Sequence, residues 1–207
     1  MTVAVLSESS ADEAALRVLL SALIGDAAPD EQMLQLRTRG WPSVLKTLPT
    51  VIKHLHYRTT IDALLVVSDS DDSTPHGAHG EDATRDCRLC LMGITIAHEL
   101  GSLTDVPGRE KLKTAVGLSM PAIEAWYLCG VDATVTEAAW INGRQSGHIP
   151  YTRLQLKTRV YGTPIPQLSQ QREIAVSHAM RLSTGLTLLD TWFPYGCGVM
   201  LDAVRSW

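Results

Sequence analysis

The chain opens with a short apolar, β-branched run, "TVAVLS", which ends at once in the polar turn "ESSADE" and reads as a first strand. The next segment, "SADEAALRVLLSALIG", carries Ala15, Leu16, Leu19, Leu20 and Leu23 at helical spacing, with Ser9 or Ser10 as N-cap, Glu13 placed for a capping box and Gly25 as its stop. "EQMLQLRTRG" fits a second strand, and "SVLKTLPTVIKHLHYR" a helix interrupted or bent near Pro49. "IDALLVVSD" has the unbroken apolar character of a strand buried on both faces. A Gly/His/Asp-rich loop, "SDDSTPHGAHGED", leads into the helix "ATRDCRLCLMGITIAHELG". "KLKTAVGLS" then reads as a strand, and "MPAIEAWYLCG" as a helix opened by Pro121. From about Val131 the pattern is mainly helical, with Gly/Pro-rich breaks at 143–150 and 162–166.

Strands alternating with helices predict an α/β fold: a mostly parallel sheet flanked by helices over residues 1–130. A mainly helical C-terminal extension, 131–207, is expected to pack on it. No internal repeat or low-complexity tract interrupts this layout.

Charge patterning adds a site to the fold. The strand "LLVV" runs into "SDSDDS", which places Asp69, Asp71 and Asp72 within four positions. Like charges this close repel unless a cation sits among them. In a parallel sheet the C-terminal strand ends share one edge, where ligands bind. Glu8 follows the first strand, Asp69 and Asp71 the strand at 61–68, and Glu124 the strand at 111–119, so the sheet gathers them on one side. Oxygen-only ligands of this kind suit Mg²⁺ or Mn²⁺, and two such ions support phosphodiester chemistry.

These same elements resemble the Toprim fold of topoisomerases, primases and the nuclease domains of ATPase-coupled defence proteins: a Glu after strand one ("LSESSADEAALRVLL") and an apolar strand ending in D-x-D ("LLVVSDSD"). "PAIEAWYLCG" is similar to the Glu-x-Trp-Leu element of small Toprim-like proteins often encoded beside AAA or SMC-like ATPases. "YTRLQLKTRVYG" and "LSTGLTLLDTWF" resemble that family's lysine-bearing helix and closing segment. The resemblance implies a Mg²⁺- or Mn²⁺-dependent nuclease working with an AAA or SMC-like ATPase partner in anti-phage or anti-plasmid defence, on DNA more readily than RNA. It implies Asp69 and Asp71 as metal ligands, Glu8 as ligand or general acid/base, Glu124 as a further ligand or orienting carboxylate, and Lys157 as a stabiliser of the transition-state phosphate. Ser9 stands where the family's glycine is expected, and Ser68 precedes the D-x-D. Both departures weaken the topoisomerase and primase branches more than the nuclease-like one.

Other chemistries compete for the same residues. A non-catalytic partner subunit of an ATPase complex would use the acids structurally, with the D-x-D as a capped turn. A phosphatase would use Asp69 as nucleophile, since "DSDDS" approaches D-x-D-x-T. An EF-hand fails, because the glycine and glutamate positions fall on Thr74 and Gly80. His76, His79, Cys87 and Cys90 supply ligand types for a tetrahedral Zn²⁺ site in a binding module. Against that, Cys87, Cys90, Leu91 and Ile94 are predicted to share a buried helix face. His54, His56, His98 and Glu99 lack metalloprotease spacing. Trp126 and Tyr127 are expected to pack the helix onto the sheet, and "TWFPYGCG" to plug the core. Cys129 and Cys197 lack an activating base.

Composition narrows the setting. The chain has 207 residues, 45% apolar, with mean hydropathy +0.03, enough for one core and without an apolar run that spans a membrane. Its four cysteines do not form a disulfide framework and point to a reducing cytoplasm, and the N-terminus reads as a strand rather than a signal peptide. The net charge of −4 gives no support for tight nonspecific nucleic-acid binding, so substrate affinity is expected from a partner or a homo-oligomer. Between Ile141 and Arg181, however, six basic residues (Arg144, Arg153, Lys157, Arg159, Arg172, Arg181) face one acid, Glu173. That segregation predicts a basic surface beside the acidic site, or else a solvated helix face.

Overall fold

The structure, a computed structural model, describes residues 1–25, 40–74 and 86–207. Strands β1 (Val3–Leu6), β2 (Ala63–Asp69) and β3 (Lys113–Ser119) form a parallel sheet in the order β1-β2-β3. Every residue of β2 is buried, as its unbroken apolar run requires of a central strand covered on both faces. Helices α1 (Ser10–Ile24) and α2 (Trp41–Arg58) lie between β1 and β2 in sequence, and α3 (Arg88–Ser102) between β2 and β3. After β3 come α4 (Glu124–Tyr127), α5 (Glu137–Ser146), α6 (Arg153–Tyr161), α7 (Leu168–Ser183), α8 (Leu186–Trp192), a π-helical turn (Pro194–Gly198) and α9 (Val199–Arg205).

The α/β architecture with a helical C-terminal part is therefore as the sequence predicts. Helices α2 and α3 pack on each other and on β2 and β3; α1 packs on α7 and α9, and α9 on β3. One hydrophobic cluster runs from Val3 to Val204, so residues after Val131 complete the core that the sheet begins. The aromatic plug is real. Phe193 and Cys197 are fully buried, and a Cβ on Gly196 would fall 1.9 Å from the Leu118 carbonyl oxygen. Only glycine lets the π turn come this close to β3. Trp126 and Tyr127 are fully buried, as expected of residues that seat α4.

Several local details differ from the sequence reading. Ser9, not Ser10, caps α1, its hydroxyl accepting from the Asp12 amide at 3.2 Å, so Asp12 rather than Glu13 holds the box position. α2 runs through Pro49 without a break, because its buried stripe of Val44, Leu48, Val51, Ile52 and Leu55 carries the helix past the missing donor. Pro121 does not open a helix; α4 is one turn beginning at Glu124. The buried face of α3 is Leu89, Met92, Ile96 and Glu99, while Ile94 is exposed. The helix starts at Arg88 with Cys87 as its cap, and its packing on α2 and β3 selects the face that is buried. His56 is a buried histidine whose Nε2 donates to the Thr104 carbonyl at 2.9 Å, while its Nδ1 is buried without a partner. The proposed strand at 31–39 lies outside the described residues. No helix among the described residues is long and apolar enough to cross a membrane.

Candidate functional site

Strand register brings the acids together. Leu6 pairs with Val66, so Glu8, two residues further on, comes level with the end of β2. Its Oε1 accepts from the Ser68 hydroxyl and from the Asp69 amide at 3.0 Å. Asp69 pairs with Ser119, and its Oδ1 accepts from the Ser119 hydroxyl at 2.7 Å and the Ile123 amide at 2.9 Å. Asp69 thus caps the first turn of α4 and fixes where Glu124 sits. Beyond β2 the chain turns sharply at Asp71, whose φ of 45° lies in the left-handed region that aspartate tolerates better than most residues. The Asp71 amide donates to the Pro121 carbonyl at 2.9 Å, which ties this turn to the start of α4.

The sequence places a divalent cation among these carboxylates; in the structure arginine stands beside the aspartates of the D-x-D. Arg153, the first residue of α6, donates through Nη2 to Asp69 Oδ2 at 2.7 Å and through Nη1 to Asp71 Oδ1. Arg88, the first residue of α3, donates through Nη1 to the Asp69 carbonyl at 2.6 Å and to Asp71 Oδ2 at 2.9 Å. Its guanidinium lies 5.2 Å from the Trp41 ring centroid. Arg144 reaches Asp72 from α5, donating to its carbonyl at 3.0 Å. The basic stretch is therefore a surface beside the acidic site, at Arg144, Arg153 and Lys157.

The site is a cleft of about 420 Å³ whose walls include Glu8, Asp12, Asp69, Asp71 and Glu124, opposed by Arg88, Arg153 and Lys157. Lys157 follows Arg153 by one helical turn, which puts both on the same wall. All five residues expected at the site from sequence, namely Glu8, Asp69, Asp71, Glu124 and Lys157, line it. Asp12, Arg88 and Arg153 were not foreseen. Asp12 had a readable signal, since it falls four residues after Glu8 on the helix that follows. Arg153 had only the charge segregation.

Burial dominates the electrostatics. It pushes the Asp12 carboxyl up to about 7, reinforced by Glu124 and Glu8 and opposed by the Ser9 hydroxyl and by Lys157. Burial likewise raises Asp69, against the pull of Arg153, and Glu124, against Lys157. Two buried carboxylate oxygens at the cleft, Asp12 Oδ1 and Glu124 Oε2, accept no hydrogen bond, and the buried Arg153 Nε donates none. With every group ionised, five carboxylates face three cations, a formal excess of two negative charges; burial counters it by raising Asp12, Asp69 and Glu124 toward the protonated form, and a divalent ion would relieve it. Among the described residues no three His, Cys, Asp or Glu side chains form a ready-made ligand group. Magnesium needs none: it commonly keeps several waters and takes one or two carboxylates. By donor chemistry and orphaned oxygens, the residues present fit such an ion.

The alternative zinc set is divided. His76 and His79 lie outside the described residues, and Cys87 is buried at the α3 cap. Burial and the neighbouring Cys87 push the Cys90 thiol up to about 11, away from the thiolate a metal takes. No protein-family model matches this chain, no curated protein matches it in sequence, and no solved structure matches its fold.

One consequence of the Asp69 anchorage is direct. Ser119→Ala removes one of three donors to a buried carboxylate and is expected to cost about 1 kcal/mol, read as a shift in urea midpoint at unchanged slope. A neutral result would mean that the Ile123 amide and Arg153 alone hold Asp69.

Proposed function

We propose that the chain is a Mg²⁺- or Mn²⁺-dependent phosphodiester-cleaving enzyme acting on nucleic acid, in partnership with an ATPase. The observation that carries this reading is the pair of buried carboxylate oxygens left without donors in a cleft where five carboxylates meet three cations. When bound, the ion supplies Lewis-acid activation of the phosphodiester and of water. Among Glu8, Asp12, Asp69, Asp71 and Glu124 are the carboxylates that would hold it. Arg153 and Arg88 orient the D-x-D turn, and Lys157 is the cation placed to meet a phosphate oxygen. The ATPase partner and the defence setting rest on the resemblance to small Toprim-like proteins. The acidic net charge supports a partner that brings the substrate.

The test is cleavage of end-labelled DNA and RNA by the purified chain with Mg²⁺ or Mn²⁺, alone and with candidate ATPases. Lys157 is half-buried, so its loss falls below the 10²–10³-fold seen for enclosed oxyanion donors; Lys157→Ala is expected to slow cleavage about tenfold while leaving Mn²⁺ binding intact. Equal rates for wild type and Lys157→Ala would remove Lys157 from the mechanism.

A second reading, the non-catalytic partner subunit, is favoured by the three donors on Asp69, which make the D-x-D a self-sufficient structural element. It predicts that Glu124→Gln leaves the complex's biological output unchanged. The same three donors speak against Asp69 as a phosphatase nucleophile, since both its oxygens are already engaged.

A further inference from the structure

Within the metal-dependent reading, the sequence assigns the ion to Asp69 and Asp71, with Glu8 and Glu124 as further ligands. The side-chain arrangement divides the cleft differently. Asp69 and Asp71 together accept from two guanidinium groups: Arg153 bridges one oxygen of each, and Arg88 takes the remaining Asp71 oxygen at 2.9 Å. The remaining Asp69 oxygen holds Ser119 and the Ile123 amide. Every oxygen of the D-x-D already has a donor, so an ion there competes with Arg153 or Arg88 for it. A guanidinium that bridges two carboxylates in a partly buried cleft resists that competition.

Asp12 and Glu124 are in the opposite condition. They are 6% and 1% exposed, both line the cleft, and each keeps one buried oxygen that accepts nothing. A buried polar atom without a partner is costly, and native structures rarely keep one that water or a ligand does not serve. Two carboxylates completed by waters and a substrate phosphate match what Mg²⁺ takes.

We infer that the divalent ion is held by Asp12 and Glu124, and that Arg153 is the permanent cation of the D-x-D, occupying the place a second ion would take. Asp12 is thus a metal ligand, Asp69 and Asp71 are positioning residues, and the site is a one-ion site.

The experiment is Mn²⁺ binding to the full chain, with free Mn²⁺ counted by electron paramagnetic resonance, for wild type, Asp12→Asn, Glu124→Gln and Asp71→Asn. Thermal melts in EDTA establish that each near-isosteric variant is folded. The expected result is one Mn²⁺ per wild-type chain, affinity at least tenfold weaker in Asp12→Asn and in Glu124→Gln, and less than threefold changed in Asp71→Asn. Loss in Asp71→Asn with wild-type binding in the other two overturns the inference and leaves the metal-dependent reading standing, with the ion at the D-x-D. Equal losses in all three overturn the division of the cleft. A stoichiometry of two overturns the one-ion site. No binding by folded wild type overturns the metal-dependent reading itself, and the inference with it.

Discussion

Arg153→Met is expected to lower stability by about 2–3 kcal/mol at pH 8, with most of the loss recovered by adding Asp69→Asn. Removing one partner of a fully buried ion pair costs about 3–5 kcal/mol, because it strands the other charge. Asp69 is 7% exposed but Arg153 is 40% exposed, so solvent screening brings the figure below that range. The loss also depends on pH. Burial already raises the Asp69 carboxyl against the pull of Arg153, and without the guanidinium it rises further. The folded variant then binds a proton that its unfolded chain has released, so its stability falls as pH rises above the unfolded value of 3.8. The deficit relative to wild type is therefore largest at pH 8 and shrinks toward pH 5. Urea melts of the four proteins in the Arg153/Asp69 cycle, at both pH values, measure it. A coupling energy below about 0.5 kcal/mol at pH 8 would show that the pair is not what compensates the crowded aspartates.

The same pair shows how far the sequence could be read. Strand β2 was legible because an unbroken apolar run has few alternatives to a strand buried on both faces. The acids were legible because parallel strands must deliver their C-terminal ends to one edge, so Glu8, Asp69 and Glu124 could be placed together without coordinates. The cation among them was not. Arg153 is 84 residues from Asp69, and nothing local to either distinguishes it from the five other basic residues of its stretch. Only the packing of α6 beside α4 selects it. Crowded carboxylates announce a missing positive charge but do not say whether the chain or a metal provides it. Here both answers have a place: arginine satisfies the D-x-D, and the orphaned oxygens are elsewhere. The α3 face failed for a smaller reason. Periodicity fixes which residues share a face, but tertiary packing, here of α3 on α2 and β3, decides which face points inward.

Asp12→Asn is expected to stabilise the metal-free protein at pH 8 by about 3 kcal/mol and to have little effect near pH 4. Asp12 is buried in the company of Glu8 and Glu124, and its carboxyl is pushed up to about 7 from an unfolded value of 3.8. For an acid raised on folding, the folded state holds a proton between those two values that the unfolded state has lost. Stability therefore declines as pH climbs from about 4 to about 7, and the decline is complete above 7. Three pH units at about 1.4 kcal/mol each set an upper limit of about 4 kcal/mol. An asparagine recovers less, since it brings an amide donor into a site where Asp12 Oδ1 already lacks a partner. Glu13, which Asp12 does not perturb, cancels in the difference, whereas Asp69 is relieved of the Asp12 charge and its change is part of the gain. Denaturant melts in EDTA at pH 4.5 and pH 8 read that difference directly. A gain that does not change with pH, or a loss at pH 8, would mean that Asp12 is ionised comfortably in the folded protein. Adding Mn²⁺ at pH 8 should reverse the ranking, since a ligand that binds only the folded state stabilises wild type and leaves the asparagine variant behind. An acidic residue that destabilises the empty fold and stabilises the loaded one is a residue kept for its ligand, and stability with and without the ion separates this from a merely awkward buried charge.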